Sequence, residues 1–170
     1  MVAQFFQIFI TLLIVIDPIG LVPLFISATA QMTEQERAKT MKQSIRVAAV
    51  VMLVFITAGR FILSLLGISV GAFYLEGGAL FFLISIDMLF GQPKRAKLSP
   101  EEAAEDYAAV AVFPLAIPMI SGPGTITTLI MFSSNSSSYL LSIAMLVGAV
   151  LLILILAFLE IGRASCRERV

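Results

Sequence analysis

The stretch DPIGLVPLF, at residues 17–25, places an aspartate, two prolines and a glycine inside a long apolar run. A helix that crosses a bilayer normally continues through its apolar stretch, because unpaired backbone amides and carbonyls in hydrocarbon cost several kcal/mol each. A second run, PLAIPMISGPGTIT at residues 114–127, interrupts a later apolar stretch in the same way. The paired breaks predict helix ends within the membrane, where oriented N–H and C=O groups can hold a small solute or ion.

The composition of the chain is that of a membrane protein. Hydrophobic residues make up 59% and charged residues 13% of it, with a mean hydropathy of +1.03, whereas soluble domains carry about 25% charged residues. Several stretches reach the roughly 20 apolar residues that cross a bilayer core of about 30 Å. The predicted spans are 5–30, 47–67, 72–90, 110–132 and 139–158. The sequence therefore predicts an all-α, polytopic membrane helix bundle.

Apart from Arg60, which lies within the second predicted span, the basic residues lie on one side of these spans. They are Arg37, Lys39, Lys42 and Arg46, then Lys94, Arg95 and Lys97, and finally Arg163, Arg167 and Arg169. The connections on the opposite side, 67–71 and 133–138, carry no lysine or arginine. By the positive-inside rule, the loops after spans one and three are cytoplasmic and the N-terminus is periplasmic. Ala28-Thr29-Ala30 is similar to a signal-peptide cleavage site, but residues 1–7 lack positive charge, so we expect the first span to be retained.

The chain divides into two halves that begin alike. Each half opens with a broken helix and continues with a long one, in repeat 1 at about 1–92 and in repeat 2 at about 107–160. Only repeat 1 has a third span, so we expect five spans of a six-span plan. Repeats with three spans each would lie in opposite orientations, as two inverted three-helix repeats with helices 1 and 4 broken. Two interpretations of the basic tail at 161–170 stay open, a native cytoplasmic anchor or non-native sequence.

A set of short motifs carries a family resemblance. In order, they are Asp17-Pro18-Ile19-Gly20, Pro23-Leu24-Phe25, Gly67-Ile68-Ser69, Glu76-Gly77-Gly78, Ile86-Asp87-Met88, Pro114-Leu115-Ala116-Ile117-Pro118 and Ser121-Gly122-Pro123-Gly124. From Met1 to about Glu160 the chain resembles the MarC family of bacterial integral membrane proteins, from whose pattern Ser121 and Glu76 are local departures. The resemblance implies six spans in a bacterial inner membrane. Family names refer to multiple antibiotic resistance and to neutral amino-acid transport, but they assign no settled activity.

Asp17 is the strongest candidate for a functional residue. It lies about twelve residues, or roughly 18 Å, into the first span, where a carboxylate must be paired or solvated. We therefore expect it to face the protein interior. Pro18 suits the first turn of a new half-helix, with Asp17 as its N-cap. In a functional interpretation, Asp17 takes up a proton or holds a cation or a substrate amine, and the two roles are compatible because they use different carboxylate oxygens.

The second break is rich in hydroxyl groups. Ser121, Thr125, Thr127 and Thr128 can replace backbone hydrogen bonds that are lost around Gly122-Pro123-Gly124. A carrier of neutral or zwitterionic solutes would use this chemistry, whereas a purely structural kink would shape helix packing only. The matching break in the first half favours the functional interpretation.

Other charged and small residues in the spans suggest further roles. Arg60 and Glu76 lie at similar depth on either side of a turn near Ser69, which predicts a structural salt bridge or, as an alternative, a gating pair. Asp87 is expected to be an interfacial charge or a member of a proton path. The glycines at 67, 71, 77 and 78 would allow close approach of helices.

The absences exclude several classes of enzyme and pump. The chain has no histidine and one cysteine, so it has no HExxH metal site and no Ser-His or Cys-His pair. It also has no phosphate-binding loop for ATP. We expect no catalytic residue, cofactor or metal, and no nucleic-acid partner.

The sequence thus favours a secondary transporter or exporter of small polar, amino-acid-like metabolites in contact with the lipid bilayer. The alternative is a non-transporting assembly or regulatory subunit. Homo-oligomerisation stays open. The predicted solute-binding residues are Asp17, Pro18, Gly20, Pro23, Pro118, Ser121, Gly122, Pro123, Gly124 and Thr125.

Overall fold

The computed structural model describes residues 2–30, 32–69, 71–72, 75–76, 78–79, 82–83, 86, 111–134 and 139–167. Its helices are α1 (Val2–Ile16), α2 (Pro18–Ala28), α3 (Glu34–Leu65), a π-helix (Ala111–Ile120), α4 (Pro123–Ser134) and α5 (Tyr139–Arg167). The prediction of an all-α membrane helix bundle is confirmed.

Three helical segments of the described part are long and apolar enough to cross a membrane. They are Val2–Ala28, Glu34–Leu65 and Leu140–Arg163, and they correspond to the first, second and fifth predicted spans. The fourth predicted span is divided between the π-helix and α4. Most of the third predicted span lies outside the described residues, and the inverted repeat stays a prediction.

The start of α3 is fixed by its own sequence. The backbone N–H of Thr33 donates to Oε2 of Glu36 at 2.7 Å, and the backbone N–H of Glu36 donates to the Thr33 hydroxyl at 3.5 Å. This reciprocal capping box satisfies donors that the first turn of a helix leaves without carbonyl partners.

Gly67 ends α3 in a left-handed conformation, with φ of 67°. The N–H of Ile68 donates to the carbonyl of Leu63 at 2.9 Å, and the N–H of Gly67 donates to that of Ser64 at 3.1 Å, which is the Schellman pattern. An added Cβ at Gly67, Gly71 or Gly78 would meet no atom of the described residues within 4 Å. No described helix packs closely on these three glycines, so close approach there stays a prediction, and Gly67 serves the helix end.

The core forms where α5 packs against α1, α2 and α3. Its fully buried side chains include Ile8, Leu12, Met52, Ile56, Leu129, Leu146 and Ile153. A second, smaller cluster joins α2, α3, the π-helix and α5 through Phe25, Met41, Leu115 and Ile161. The helices on either side of each break, α1 with α2 and the π-helix with α4, therefore pack on the same bundle. Tertiary packing as well as local sequence fixes the two breaks.

Candidate functional site

The first break is a single residue, Asp17, between α1 and α2. Its backbone has φ of 44° and ψ of 71°, a left-handed conformation that asparagine and aspartate tolerate better than most residues. Its carboxylate Oδ1 accepts a hydrogen bond from the backbone N–H of Gly20 at 3.1 Å. Pro18 occupies the first position of α2, where its missing N–H removes no intrahelical bond. The predicted N-cap on a new half-helix is confirmed.

The carboxylate of Asp17 is exposed, contrary to the expectation that it faces the protein interior. The buried stripe of α1 runs through Ile8, Leu12 and Ile16 at intervals of four residues. Asp17 follows Ile16 directly, so it lies off that stripe by about 100° of helix rotation. Among the described residues, only the Gly20 N–H bonds to this carboxylate, which leaves Oδ2 open to an outside partner.

Gly20 is the position that lets the Asp17 carboxylate fold back over the helix end. An added Cβ at Gly20 would collide with Oδ2 of Asp17 and lie 3.0 Å from its Cγ. Any larger residue would have to displace the carboxylate. The glycine of the motif is thus needed for close approach of a side chain, and not for an unusual backbone conformation.

The second break follows a π-helix. At its end the N–H of Ser121 donates to the carbonyl of Ala116, five residues earlier, at 2.9 Å. The helix stops at Ser121 and Gly122, and α4 begins with Pro123. The first backbone bond of α4 runs from the N–H of Ile126 to the carbonyl of Gly122 at 3.0 Å. π-Helical segments often occur at functional sites, but the sequence did not predict this one.

The hydroxyl groups around the second break all donate to backbone carbonyls. Ser121 Oγ bonds to Ala116 O at 2.8 Å, Thr125 Oγ1 to Ile120 O at 3.1 Å, Thr127 Oγ1 to Pro123 O at 2.6 Å and Thr128 Oγ1 to Gly124 O at 2.8 Å. The prediction that these side chains supplement the backbone bonding is confirmed. Ser121 and Thr125 are each 1% exposed, so these two hydroxyls belong to the interior of the protein.

Thr125 should be needed for stability through its hydroxyl. Thr125→Val keeps the shape of the side chain but leaves the Ile120 carbonyl without this donor, so we expect a loss of about 1–3 kcal/mol in unfolding free energy. Thr125→Ser retains the donor and should lose less. Thermal unfolding in detergent, followed by circular dichroism, measures both variants, and equal stability of Thr125→Val and the unmodified protein would contradict the role.

The two breaks border the same hydrophobic cluster. Ile16 and Leu21 flank the first break, Ile120 precedes the second, and all three belong to that cluster. α1 contacts α4, and α2 contacts the π-helix. The breaks differ in charge, because a carboxylate caps α2 whereas the residues that begin α4 are neutral.

The predicted site residues differ in their exposure. Pro18, Ser121, Gly122 and Thr125 are buried, Gly20, Pro123 and Gly124 are half-buried, and Asp17 and Pro23 are exposed. The side chain of Pro118 and the whole of Asp87 lie outside the described residues. Arg60 and Glu76 are both exposed, and no ion pair joins these two described residues. Their pairing stays a prediction.

Arg37 is a residue whose role the sequence analysis missed. Its Nε donates to the carbonyl of Thr29 at 3.2 Å, and Thr29 is fully buried, with its hydroxyl donating to the carbonyl of Phe25 at 2.7 Å. Arg37 thus secures the end of the first span to the start of α3. A basic residue close to a helix C-terminus is the signal that could have indicated it.

Comparison with known sequences identifies relatives of this chain. The sequence model for MarC family integral membrane proteins matches residues 2–170. A UPF0056 membrane protein of Methanocaldococcus jannaschii is 40% identical over 154 residues, covering 85% of this chain and 68% of the relative. A UPF0056 membrane protein of Archaeoglobus fulgidus is 34% identical over 148 residues, covering 86% and 70%. The UPF0056 membrane protein YhcE of Escherichia coli is 34% identical over 140 residues, covering 80% and 65%. No solved structure matches the chain.

Proposed function

The chain belongs to the MarC family of integral membrane proteins, and from that premise we propose that it is a secondary transporter. It exports small polar, amino-acid-like metabolites across the bacterial inner membrane. The solute binds between the half-helix ends, near residues 17–23 and 118–125. Two inverted halves rock about this site to give alternating access.

The observation that carries the proposal is the exposed carboxylate of Asp17 in the middle of a membrane span. The broken segment runs from Val2 to Ala28, so Asp17 lies about 22 Å from its start at 1.5 Å per residue. A carboxylate at that depth needs water, a cation or a polar partner. Its Oδ1 already caps α2. The remaining oxygen is suited to hold a proton, a cation or the ammonium group of a solute.

The start of α4 is suited to the other end of such a solute. Pro123 has no N–H, and the N–H groups of Gly124 and Thr125 precede the first intrahelical bond of α4. These donors lie at the positive end of the helix dipole, which favours a carboxylate. An ammonium group beside Asp17 and a carboxylate beside α4 would together select a zwitterion. This complementarity is the reason for choosing amino-acid-like solutes.

The proposal also includes the orientation of the chain in the membrane and the energy source of transport. The basic residues at the start of α3 lie in the cytoplasm, which leaves the N-terminus in the periplasm. Transport needs no catalytic residue and no cofactor, and we assign none. The energy comes from a gradient of the solute or of a coupling ion.

The alternative function is that of a non-transporting assembly or regulatory subunit. The observation in its favour is that all four hydroxyls of the second break donate to the backbone of their own segment. A structural kink would use them in this way. In that case the breaks would shape a surface for another membrane protein, and Asp17 would serve as a cap alone.

Solute flux in proteoliposomes tests the proposal. The purified protein is reconstituted beside empty liposomes, and efflux of labelled neutral, acidic and basic amino acids is measured with and without a proton gradient. YhcE is assayed in parallel, because this chain covers only 65% of its length. We expect efflux above the empty-liposome rate for at least one zwitterionic solute. An absence of flux from both proteins, together with one stoichiometric crosslinked membrane partner, would favour the subunit instead.

A further inference from the structure

A shallow, open apolar groove lies between α3 and α5. Its volume is about 260 Å³, and it is lined by Ile45, Arg46, Ala49, Leu151, Leu154, Ile155 and Phe158. Among these residues Leu154 is buried, at 4% exposure, whereas Leu151 and Ile155 are exposed, at 50% and 54%. Arg46 is the only charged residue of the lining; it borders the groove with the apolar stem of its side chain, and the residue as a whole is exposed.

Positive charge continues from this groove along α3 toward the cytoplasm. Lys42 lies one turn before Arg46, and Lys39 lies three residues before Lys42, so the three side chains follow one face of the helix. All three are exposed. In the described part of the chain no carboxylate is within ion-pair distance of Lys42 or Arg46, so their charges are available to an anion.

The depth of Arg46 matches the phosphate level of a bilayer. From Arg46 to Leu65, the last residue of α3, the helix extends about 28 Å at 1.5 Å per residue. This is close to the roughly 30 Å thickness of a hydrocarbon core. Arg46 therefore lies at the cytoplasmic boundary when the rest of α3 spans the membrane, and the apolar groove extends from it into the acyl-chain region.

We propose that this groove is a binding site for an anionic phospholipid of the cytoplasmic leaflet. The guanidinium of Arg46 binds the phosphate, Lys42 adds a second positive charge, and one acyl chain lies along Ala49, Leu154 and Phe158. Guanidinium groups bind phosphate with two parallel hydrogen bonds. The groove is smaller than the roughly 300–1,000 Å³ of pockets that enclose a small molecule, and its open, apolar lining suits one acyl chain lying along the surface.

The charge pattern distinguishes this lipid from other occupants. A second protein helix packed on this apolar face would need a carboxylate at the level of Arg46 and Lys42 to satisfy their charges. A zwitterionic lipid would bring a cation next to them. A lipid with a net negative headgroup neutralises the basic side chains, and its acyl chain covers the apolar groove. Such lipids are present in the negatively charged cytoplasmic leaflet. The inference does not rest on transport.

Native mass spectrometry of the purified protein, titrated with phosphatidylglycerol or phosphatidylcholine in detergent, tests the site. We expect phosphatidylglycerol to bind more tightly. Arg46→Gln should weaken phosphatidylglycerol binding about fivefold, the effect of removing one basic contact at an anionic membrane surface, and Arg46→Lys should restore most of it. Arg60→Gln, at an exposed arginine elsewhere on the same helix, is the matched control and should leave binding unchanged.

A second pair of variants tests the acyl-chain part of the groove. Ala49→Phe fills the groove and should weaken binding of both lipids, whereas Val50→Phe, at a neighbouring residue that is 61% exposed, should not. Circular dichroism checks that each variant is folded, and the Arg46 series stands alone if Ala49→Phe does not fold. Equal binding of the two lipids, equal effects of Arg46→Gln and Arg60→Gln, or a dimer that Ala49→Phe dissociates would each overturn the proposal.

Discussion

Replacing Asp17 with asparagine should reduce solute flux to the rate of empty liposomes while leaving the bundle folded. Asparagine is as good an N-cap as aspartate, and it tolerates the left-handed backbone that Asp17 adopts at φ of 44°. Its amide oxygen can still accept the bond from the Gly20 N–H. The substitution therefore removes the negative charge without removing the cap, and it separates the two roles of this residue.

The companion variants affect the cap as well as the charge. Asp17→Ala removes the cap and should lower stability by about 0.5–2 kcal/mol, whereas Asp17→Asn should change it by less than about 0.5 kcal/mol. Gly20→Ala keeps the charge but displaces the carboxylate with which its Cβ would collide, so flux should fall although Asp17 is intact. Efflux and thermal unfolding are measured on the same preparations. Normal flux in Asp17→Asn would leave Asp17 with a capping role alone.

The features that the sequence predicted correctly are local ones. The cap on α2 needs only Asp17, Pro18 and Gly20, which are neighbours along the chain. The hydroxyl bonds of the second break likewise reach carbonyls four or five residues away. Such contacts are encoded within about one helical turn, so residue types and spacing were enough to predict them.

The features that the sequence did not predict depend on packing between helices. Nothing in the residues next to Asp17 indicated which side of α1 would be buried, because they are apolar and the buried stripe is set by packing against α4 and α5. Gly67 was expected at a close helix contact, and its role in ending α3 was not predicted. Among the described glycines, Gly59 is the one that lies at a close contact between helices, and it has no spacing partner that distinguishes it in the sequence.

Gly59 is buried where α3 packs against α4, just beyond the second break. A Cβ added there would lie 2.8 Å from Cγ1 and 3.2 Å from Cδ1 of Ile130, closer than carbon atoms normally approach. Gly59→Ala should therefore lower stability by about 1–3 kcal/mol through overpacking, offset by up to about 1 kcal/mol from higher helix propensity. Gly59→Leu should exceed this loss and force α4 away from α3, so we expect little folded protein.

A double-mutant cycle shows whether this effect comes from the contact with Ile130. Ile130→Ala removes both Ile130 atoms that would crowd the new Cβ and leaves Phe55 Cδ1 at an ordinary 3.5 Å. Gly59→Ala should therefore be nearly neutral or stabilising in that background, with a coupling energy of about 0.5–3 kcal/mol. Gly148→Ala is the matched control, because its Cβ would meet only Phe5 at 3.7 Å and has room. Thermal unfolding in detergent measures all four variants. If Gly148→Ala destabilises as much as Gly59→Ala, the loss of stability in both variants comes from the backbone freedom of the glycine and not from crowding of the added Cβ. If only Gly59→Ala does so, the contact between α3 and α4 fixes the half-helix that begins at Pro123, and with it the geometry of the second break.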